Sequence, residues 1–177
     1  LAGFGGQCVS DALANILCGN ISPSGRLSET YAKSLDDIPS THSYMDEKVM
    51  VYEEKENIGY RYFTSKNVDV LYPFGYGLSY ADFEYSNMKV TENSKEDTYT
   101  ITVDVKNVGS VAGKETVQAY VQKAYTQKDI QNGVEKASVE LVGFDKVYVE
   151  PGATAKATIE VKGKYFAAYD ADGEKTY

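Results

Sequence analysis

The residues Thr98-Tyr-Thr-Ile-Thr-Val-Asp-Val-Lys106 alternate between apolar and polar side chains without interruption. Successive side chains of a strand point to opposite faces of a sheet, so this pattern predicts a β-strand with one buried face. The same alternation returns in residues 153–162, and Val117, Ala119 and Val121 form a third apolar face. Residues 139–149 predict a further extended region that bends around Gly143.

Turn sequences separate these predicted strands. Asn107-Val108-Gly109-Ser110, Pro151-Gly152 and Asp172-Gly173 are typical of tight turns, and residues 165–169 predict one more strand. Short strands joined by turns, each with one apolar face, indicate an antiparallel β-sandwich. The chain has two cysteines and no tryptophan, so it lacks the Cys–Trp–Cys pattern of antibody domains.

The first part of the chain predicts a single helix over residues 7–18. Its apolar residues recur at three- and four-residue spacing, and Gly19-Asn20 provides a stop signal. Ten residues along a helix separate Cys8 from Cys18 by about 15 Å. A disulfide needs Cα atoms within roughly 7 Å, so we expect two free, buried thiols.

Less regular sequence follows this helix. Residues 27–31 predict a short strand, and residues 36–47 a polar loop. Residues 49–63 have extended character. The aromatic, glycine-containing stretch 72–77 is too rigid in composition for a flexible linker, so it predicts a packed connector.

Composition excludes several classes of partner. The chain of 177 residues is 42% hydrophobic and has a formal net charge of −8. An acidic protein disfavours nucleic acid and anionic membrane surfaces as partners, since both require a basic surface. No apolar run reaches about 18 residues, so we expect no transmembrane helix. Sixteen tyrosines are compatible with packing on strand faces or with a sugar-binding surface.

The candidate chemical groups do not assemble into a site. Adjacent carboxylates, as in Asp36-Asp37 and Glu53-Glu54, point to opposite faces of a strand and rarely work as a pair. His42 is the single histidine, which leaves a zinc site or a histidine-based triad incomplete. Residues 170–173, Asp-Ala-Asp-Gly, lack the twelve-residue pattern of a calcium loop. We therefore predict no catalytic residue, no metal and no cofactor in this chain.

Four motifs in order resemble glycoside hydrolase family 3. The resemblance covers nearly the whole chain and rests on SPSGRL, IGYRYF and YPFGYGLSY, and on a set of sandwich segments. These occupy residues 22–27, 58–63, 72–80, and then 105–109, 113–115, 117–121 and 140–144. Ser22 and Ser28 depart from the Asn and Pro usual in the family, whereas Thr30 matches.

The resemblance implies a mainly β chain with two parts. Residues 1–80 would be the end of an α/β sandwich domain, a remnant with one helix, plus a connector. Residues 81–177 would be an immunoglobulin- or fibronectin type III-like antiparallel β-sandwich, truncated at its last strand. The absence of an initiator Met and a strand starting near Tyr177 also favour a piece of a longer polypeptide.

The resemblance also implies a function. Family members are retaining glycosidases of the β-glucosidase type, with an Asp nucleophile in a TIM barrel and a Glu acid/base upstream of the region matching Leu1. No residue here matches either motif, so we expect no catalysis by this chain alone. Its role would be to brace the parent enzyme by packing on the missing α/β and TIM-barrel domains. The parent's substrate would be a β-linked oligosaccharide or glycoside, and we expect a soluble bacterial protein, cytoplasmic or secreted.

Several alternatives stay open at this point. Arg61, between Tyr60 and Tyr62, is the candidate substrate-binding residue; it would either pair with a carboxylate at the domain interface or line the edge of the sugar site. A stand-alone carbohydrate-binding or adhesive module is the alternative function, with Tyr120 and Tyr148 as candidate surface aromatics. The motifs do not select the sugar. Residues 36–41 and 169–177 resemble members with the barrel after the sandwich, and the usual order is the other alternative.

Overall fold

The structure is a computed structural model that describes residues 5–42, 49, 52, 54–169, 175 and 176. The described part of the chain contains three α-helices: α1 (Val9–Leu17), α2 (Tyr60–Ser65) and α3 (Gln127–Gln131). Its nine strands are β1 (Tyr31–Ala32), β2 (Val70–Tyr72), β3 (Phe83–Asn93), β4 (Thr98–Asn107), β5 (Gly113–Gln122), β6 (Val139–Val149), β7 (Thr154–Lys162), β8 (Ala168–Tyr169) and β9 (Lys175–Thr176). Short 3₁₀ turns occupy Leu35–Asp37, Pro39–His42 and Gly163–Phe166.

The predicted antiparallel β-sandwich is confirmed. One sheet has the order β3-β4-β7 and the facing sheet has the order β5-β6, and all pairs are antiparallel. We call this part of the chain the sandwich and residues 5–80 the N-terminal region. The core lies between the sheets and consists of Val103, Val105, Val117, Val149, Ala157, Ile159 and Val161. All of these residues except Val149 belong to the alternating stretches that predicted a buried face, and Val149 ends the predicted extended region 139–149.

The bend predicted at Gly143 is a break in the register of β5 and β6. Ala119 pairs with Gly143, but the next residue, Tyr120, pairs with Leu141, so β6 carries one extra residue. Gly143 also approaches the facing sheet closely: a Cβ atom there would lie 2.5 Å from Cγ2 of Ile159. Glycine at this position therefore allows the two sheets to pack at full density.

The helix predicted over residues 7–18 is present as α1, but the expectation of one helix is wrong, because the N-terminal region also contains α2. Residues 49–63 were expected to be extended, but Tyr60–Ser65 forms α2, which begins after Gly59 in a positive-φ conformation. The aromatic side chains favour a strand locally, and tertiary packing overrides that preference: Phe63 is buried while Tyr60 faces the sandwich. The short helix α3 was also missed; Thr126 and Asp129 form its capping box.

The predictions for the chain ends were partly right. Helix α1 ends as expected, with Gly19 in the left-handed conformation. Residues 165–169 were expected to form one strand, but a 3₁₀ turn over Gly163–Phe166 precedes the two-residue β8. Strand β8 pairs antiparallel with β9 at Lys175–Thr176. The predicted turn at residues 172–173 lies outside the described residues.

The expected burial of the two thiols is wrong. Cys8 and Cys18 are free, as predicted, but both are exposed. The apolar face of α1 is exposed as well, including Val9, Leu13 and Leu17. Helical spacing correctly gave the amphipathic face, but burial requires a partner surface, and the described residues do not supply one for this helix.

A methyl group at Gly143 should destabilise the sandwich. We expect Gly143→Ala to lower the free energy of unfolding by about 1–3 kcal/mol, because the new Cβ must displace Ile159 in a packed core. Urea-induced unfolding measures the change. Gly25→Ala is the matched control, since a Cβ there meets nothing within 4 Å. Equal losses in the two variants would contradict this close approach.

Candidate functional site at the junction

The N-terminal region packs against the outer face of the β5-β6 sheet. The chain around Leu27 pairs with the connector through two backbone hydrogen bonds of 2.8 Å, to Gly75 and Tyr76. Behind this pair, the Gly75 backbone lies so close to Gln118 of β5 that a Cβ would overlap the amide side chain. The connector at residues 72–77 is therefore packed, as its composition predicted.

Arg26 links this region to both sheets. Its Nη2 lies 2.5 Å from Oε2 of Glu115 on β5, and both side chains are largely buried. The other carboxylate oxygen, Oε1, accepts a hydrogen bond of 2.7 Å from the Tyr85 hydroxyl on β3. Partial burial, together with the hydrogen bond to Glu115, raises the pKa of the Tyr85 hydroxyl above its usual value. The result is a charged bridge that joins three segments distant in sequence.

Both Arg26 and Glu115 lie within the sequence motifs, but the ion pair between them was not predicted from the sequence. One feature of the sequence does indicate that Glu115 needs a partner. In β5 the odd-numbered residues Val117, Ala119 and Val121 form the apolar face, and Glu115 falls on the same side of the alternation. A carboxylate on an inward-facing position needs a cationic or hydrogen-bonding partner, because burial of an unpaired charge is costly.

Tyr60 on α2 forms a second contact with the sandwich. Its hydroxyl accepts a hydrogen bond of 2.8 Å from the backbone N–H of Leu141, at the point where β6 loses register with β5. Its ring packs between Phe74 of the connector and Tyr120 of β5, at centroid distances of 4.8 and 5.8 Å. Tyr60 thus satisfies a backbone donor of β6 next to the register break.

An open groove of about 470 Å³ lies beside Tyr60. Aromatic rings of Tyr60, Phe63, Phe74 and Tyr120 line it, together with polar side chains such as Thr30 and Asn67. The Thr30 hydroxyl is buried and has no hydrogen-bond partner within the described part of the chain. This groove is the part of the junction whose chemistry best suits a small polar ligand.

Arg61 does not line that groove. Its Nη1 lies 3.9 Å from Oε1 of Glu140 on β6. The other oxygen of Glu140 binds the buried Nζ of Lys123 at 2.6 Å, and Lys123 also donates to the carbonyl of Ala167. Arg61 thus lies at the margin of an ion-pair cluster that joins α2, β6, the residue after β5 and the segment before β8.

Among the described residues, the remaining sequence candidates form no common site. Asp37 accepts a hydrogen bond from the backbone of Ser34 in a capping box, which gives it a structural partner. Glu53, the acidic residues at 170 and 172, and the side chain of His42 lie outside what the structure describes. Over the described ranges, no group of three or more His, Cys, Asp or Glu side chains is arranged to hold a metal ion. Within the same ranges, none of the helices has the length and apolar character to cross a bilayer.

The two candidate surface aromatics do not form a row. Tyr120 packs edge-on against Tyr60, whereas Tyr148 pairs with Lys114 near the opposite end of the sheet and donates to Glu150. A row of exposed rings along one sandwich face, which a carbohydrate-binding module would use, is therefore not made by these residues.

Comparison with known families identifies the two regions. The family described as "Glycosyl hydrolase family 3 C-terminal domain" matches residues 1–80, and "Fibronectin type III-like domain" matches residues 115–177. The fold and junction thus define a fibronectin type III-like sandwich attached to part of a glycosyl hydrolase C-terminal domain. The chain belongs to glycoside hydrolase family 3.

Known relatives support this assignment over most of the chain. Thermostable beta-glucosidase B of Acetivibrio thermocellus is 41% identical over 170 residues, which cover 94% of this chain and 22% of that protein. A beta-glucosidase of Ruminococcus albus is 40% identical over 172 residues, which cover 96% of this chain and 17% of that protein. The chain therefore spans about a fifth of the length of these relatives.

Solved structures show the same arrangement of elements. The GH3 beta-glucosidase of Bifidobacterium adolescentis matches with a TM-score of 0.86 and 34% identity, covering 96% of this chain and 24% of that one. Beta-glucosidase 3B of Thermotoga neapolitana, in complex with glucose, matches with a TM-score of 0.84 and 32% identity, covering 93% and 23%.

A double-mutant cycle should show strong coupling between Arg26 and Glu115. We expect Arg26→Met and Glu115→Gln to interact by about 1–3 kcal/mol in the free energy of unfolding, because each change leaves a largely buried partner unpaired. The exposed pair Lys33–Asp69, changed to Met and Asn, is the control, and its coupling should be near zero. Additive effects of Arg26→Met and Glu115→Gln would show that the bridge contributes little.

Proposed function

We propose that this chain is the non-catalytic C-terminal portion of a β-glucosidase-type enzyme, in which it braces the catalytic domains. The observation that supports this most strongly is the order of two matches in one chain, the family 3 C-terminal domain followed by the fibronectin type III-like domain. The contacts of Arg26 and Tyr60 give the bracing role a physical basis, since they fix the N-terminal region on the sandwich.

The parent reaction would be retaining hydrolysis of terminal β-D-glycosides. That chemistry needs two carboxyl groups about 5–5.5 Å apart, one as nucleophile and one as acid/base. The largely buried carboxylates of Glu115, Asp129 and Glu140 are each held in an ion pair with an arginine or a lysine. We therefore assign the catalytic carboxyl groups to other parts of the parent protein.

Within this portion, we propose a boundary near residue 80. Ser79 and Tyr80 close the N-terminal region: the Ser22 hydroxyl lies 3.1 Å from that of Ser79 and accepts from the backbone of Tyr80. Tyr80 donates in turn to the carbonyl of Ile16 at the end of α1. The sandwich begins directly afterwards, with Phe83.

The proposal predicts activity in the parent protein and none in the chain itself. We expect the 177-residue chain to release no p-nitrophenol from p-nitrophenyl β-D-glucoside and to show no binding of cellobiose at millimolar concentration. The full-length protein should hydrolyse both compounds. An inactive, folded full-length protein would refute the enzymatic assignment. Saturable cellobiose binding by the isolated chain would favour a carbohydrate-binding module instead.

For Arg61, we propose a structural role, supported by its position 3.9 Å from Glu140 and outside the groove. We expect Arg61→Ala in the full-length enzyme to lower the free energy of unfolding by up to about 1 kcal/mol while KM for the glucoside is unchanged. Lys66→Ala, at the exposed end of the same helix, is the control. A rise in KM without loss of stability would instead place Arg61 at the sugar site.

A further inference from the structure

The segment 123–138, which connects β5 to β6 and contains α3, closes on itself through its own contacts. We call it the α3 loop. The backbone N–H of Val134 donates to the carbonyl of Asp129 at 2.8 Å, and Val134 is 3% exposed. The carbonyl of Val134 accepts a hydrogen bond from the Tyr125 hydroxyl, and Asp129 forms an ion pair of 2.8 Å with Lys136. The burial of Val134 therefore closes the loop.

An Asn-Gly pair interrupts this loop directly after α3. Asn132-Gly133 is the one such pair in the sequence. Asn132 is the C-cap residue of α3, and Gly133 has a positive φ of 64°. Glycine adopts this conformation readily because it has no Cβ. For the same reason, no side-chain atom of Gly133 obstructs the approach of the Asn132 side chain to the backbone nitrogen of Gly133.

Neither reacting group of this pair is firmly held. Asn132 is exposed, and within the described ranges its side-chain amide has no hydrogen-bond partner. The backbone N–H of Gly133 donates to the carbonyl of Ile130 at 3.3 Å, which is longer than usual for such a bond. Helix α3 has five residues, too few to be stable alone, so its last turn opens by local fluctuation.

The turn between β3 and β4 provides a contrast. Asn93 is exposed there too, and the small residue Ser94 follows it. However, the Asn93 side-chain nitrogen donates to Oε2 of Glu96 at 3.0 Å, and its oxygen accepts from the backbone N–H of Lys95 at 3.3 Å. Both ends of this amide are held, and Ser94 has a Cβ next to its backbone nitrogen. An exposed asparagine in a turn thus lacks the two properties that distinguish Asn132.

We propose that Asn132 is a self-modification site, at which the side-chain amide is lost to the backbone of Gly133. The Gly133 nitrogen gives up its proton and attacks Cγ of Asn132. The bond from Cγ to Nδ2 breaks, and Nδ2 leaves as ammonia with that proton, so a cyclic succinimide forms. Water is the co-reactant of the second step. It opens the ring at either carbonyl and yields aspartate or isoaspartate, and nothing is oxidised or reduced.

The isoaspartyl product changes the α3 loop more than the aspartyl product does. In isoaspartate the main chain runs through Cβ and Cγ, so the backbone between Asp129 and Val134 gains one atom. The hydrogen bond that closes the loop and the burial of Val134 both depend on the normal length of this stretch. Aspartate at position 132 keeps that length and adds a negative charge at the C-terminus of α3, which the helix dipole only weakly disfavours at an exposed position.

The modification would also reach the junction, because the α3 loop contacts the N-terminal region. Nζ of Lys55 lies 2.5 Å from Oε1 of Glu135, and the Ser65 hydroxyl accepts a hydrogen bond of 2.9 Å from the backbone N–H of Ser138. A longer backbone at Asn132 displaces the residues that make these contacts. Since ammonia is lost to solvent, the change is irreversible, and each molecule passes once from the closed loop to the loosened one.

Peptide mapping of the full-length protein tests the proposal. Trypsin releases residues 129–136 with Asn132 and residues 90–95 with Asn93 in the same digest. After incubation at mildly alkaline pH, we expect the 129–136 peptide to gain about 1 Da at least about tenfold faster than the 90–95 peptide. Chromatography separates its aspartyl and isoaspartyl forms, which have equal mass. The matched variant Asn132→Gln keeps the amide but disfavours ring closure, so its peptide should keep its mass.

Two results would overturn the proposal. One is equal rates of mass gain at Asn132 and Asn93. The other is a folded protein in which Asn132 reacts more than about a hundredfold more slowly than in urea, since the fold would then protect the site. Hydrogen exchange tests the consequence for the loop: in the isoaspartyl form, the Val134 N–H should exchange at least about tenfold faster than in Asn132→Gln. Equal exchange would refute the loosening of the loop.

Discussion

The ion pair between Arg26 and Glu115 is the constraint on which the arrangement of the chain depends. It connects the N-terminal region to β5, and the Tyr85 hydroxyl extends it to the facing sheet. A carboxylate in this position would be costly without partners, because it lies on the inward side of its strand. The negative charge of Glu115 must be compensated, and the two groups that compensate it, Arg26 and Tyr85, come from two neighbouring segments. Compensation of this charge therefore also fixes the positions of those segments.

The rest of the junction follows the same logic. The Leu141 N–H, next to the register break of β6, donates to the Tyr60 hydroxyl. Close approach at Gly75 allows the connector to lie flat on Gln118. Each contact satisfies a polar group or removes a steric obstacle, so the N-terminal region is held in one orientation by groups of fixed geometry. This is the property required of a bracing element in a larger enzyme.

The side of the sandwich between β3 and β5 is less completely closed than the junction. There the bridge closes only one end, and the inward-facing side chains of Tyr85 and Val90 on β3 are exposed beside β5, which pairs with β6 alone in the described part of the chain. Inward-facing side chains are thus buried on β7 and exposed on β3. The difference lies in whether a strand faces them, which is a property of the assembled sheets and not of either sequence segment.

Local pattern was sufficient for the strands β4, β5 and β7, because a period of two directly indicates a half-buried strand. It was also sufficient for α1, whose apolar spacing and Gly19 stop signal are equally local. The order of the four motifs was sufficient to identify the family. The helix at Tyr60–Ser65, the exposure of Cys8 and Cys18, and the partners of Glu115 and Arg61 could not be read in this way. Each depends on contacts between residues distant along the chain, and the free energy of such contacts exceeds the small local preferences that sequence patterns record.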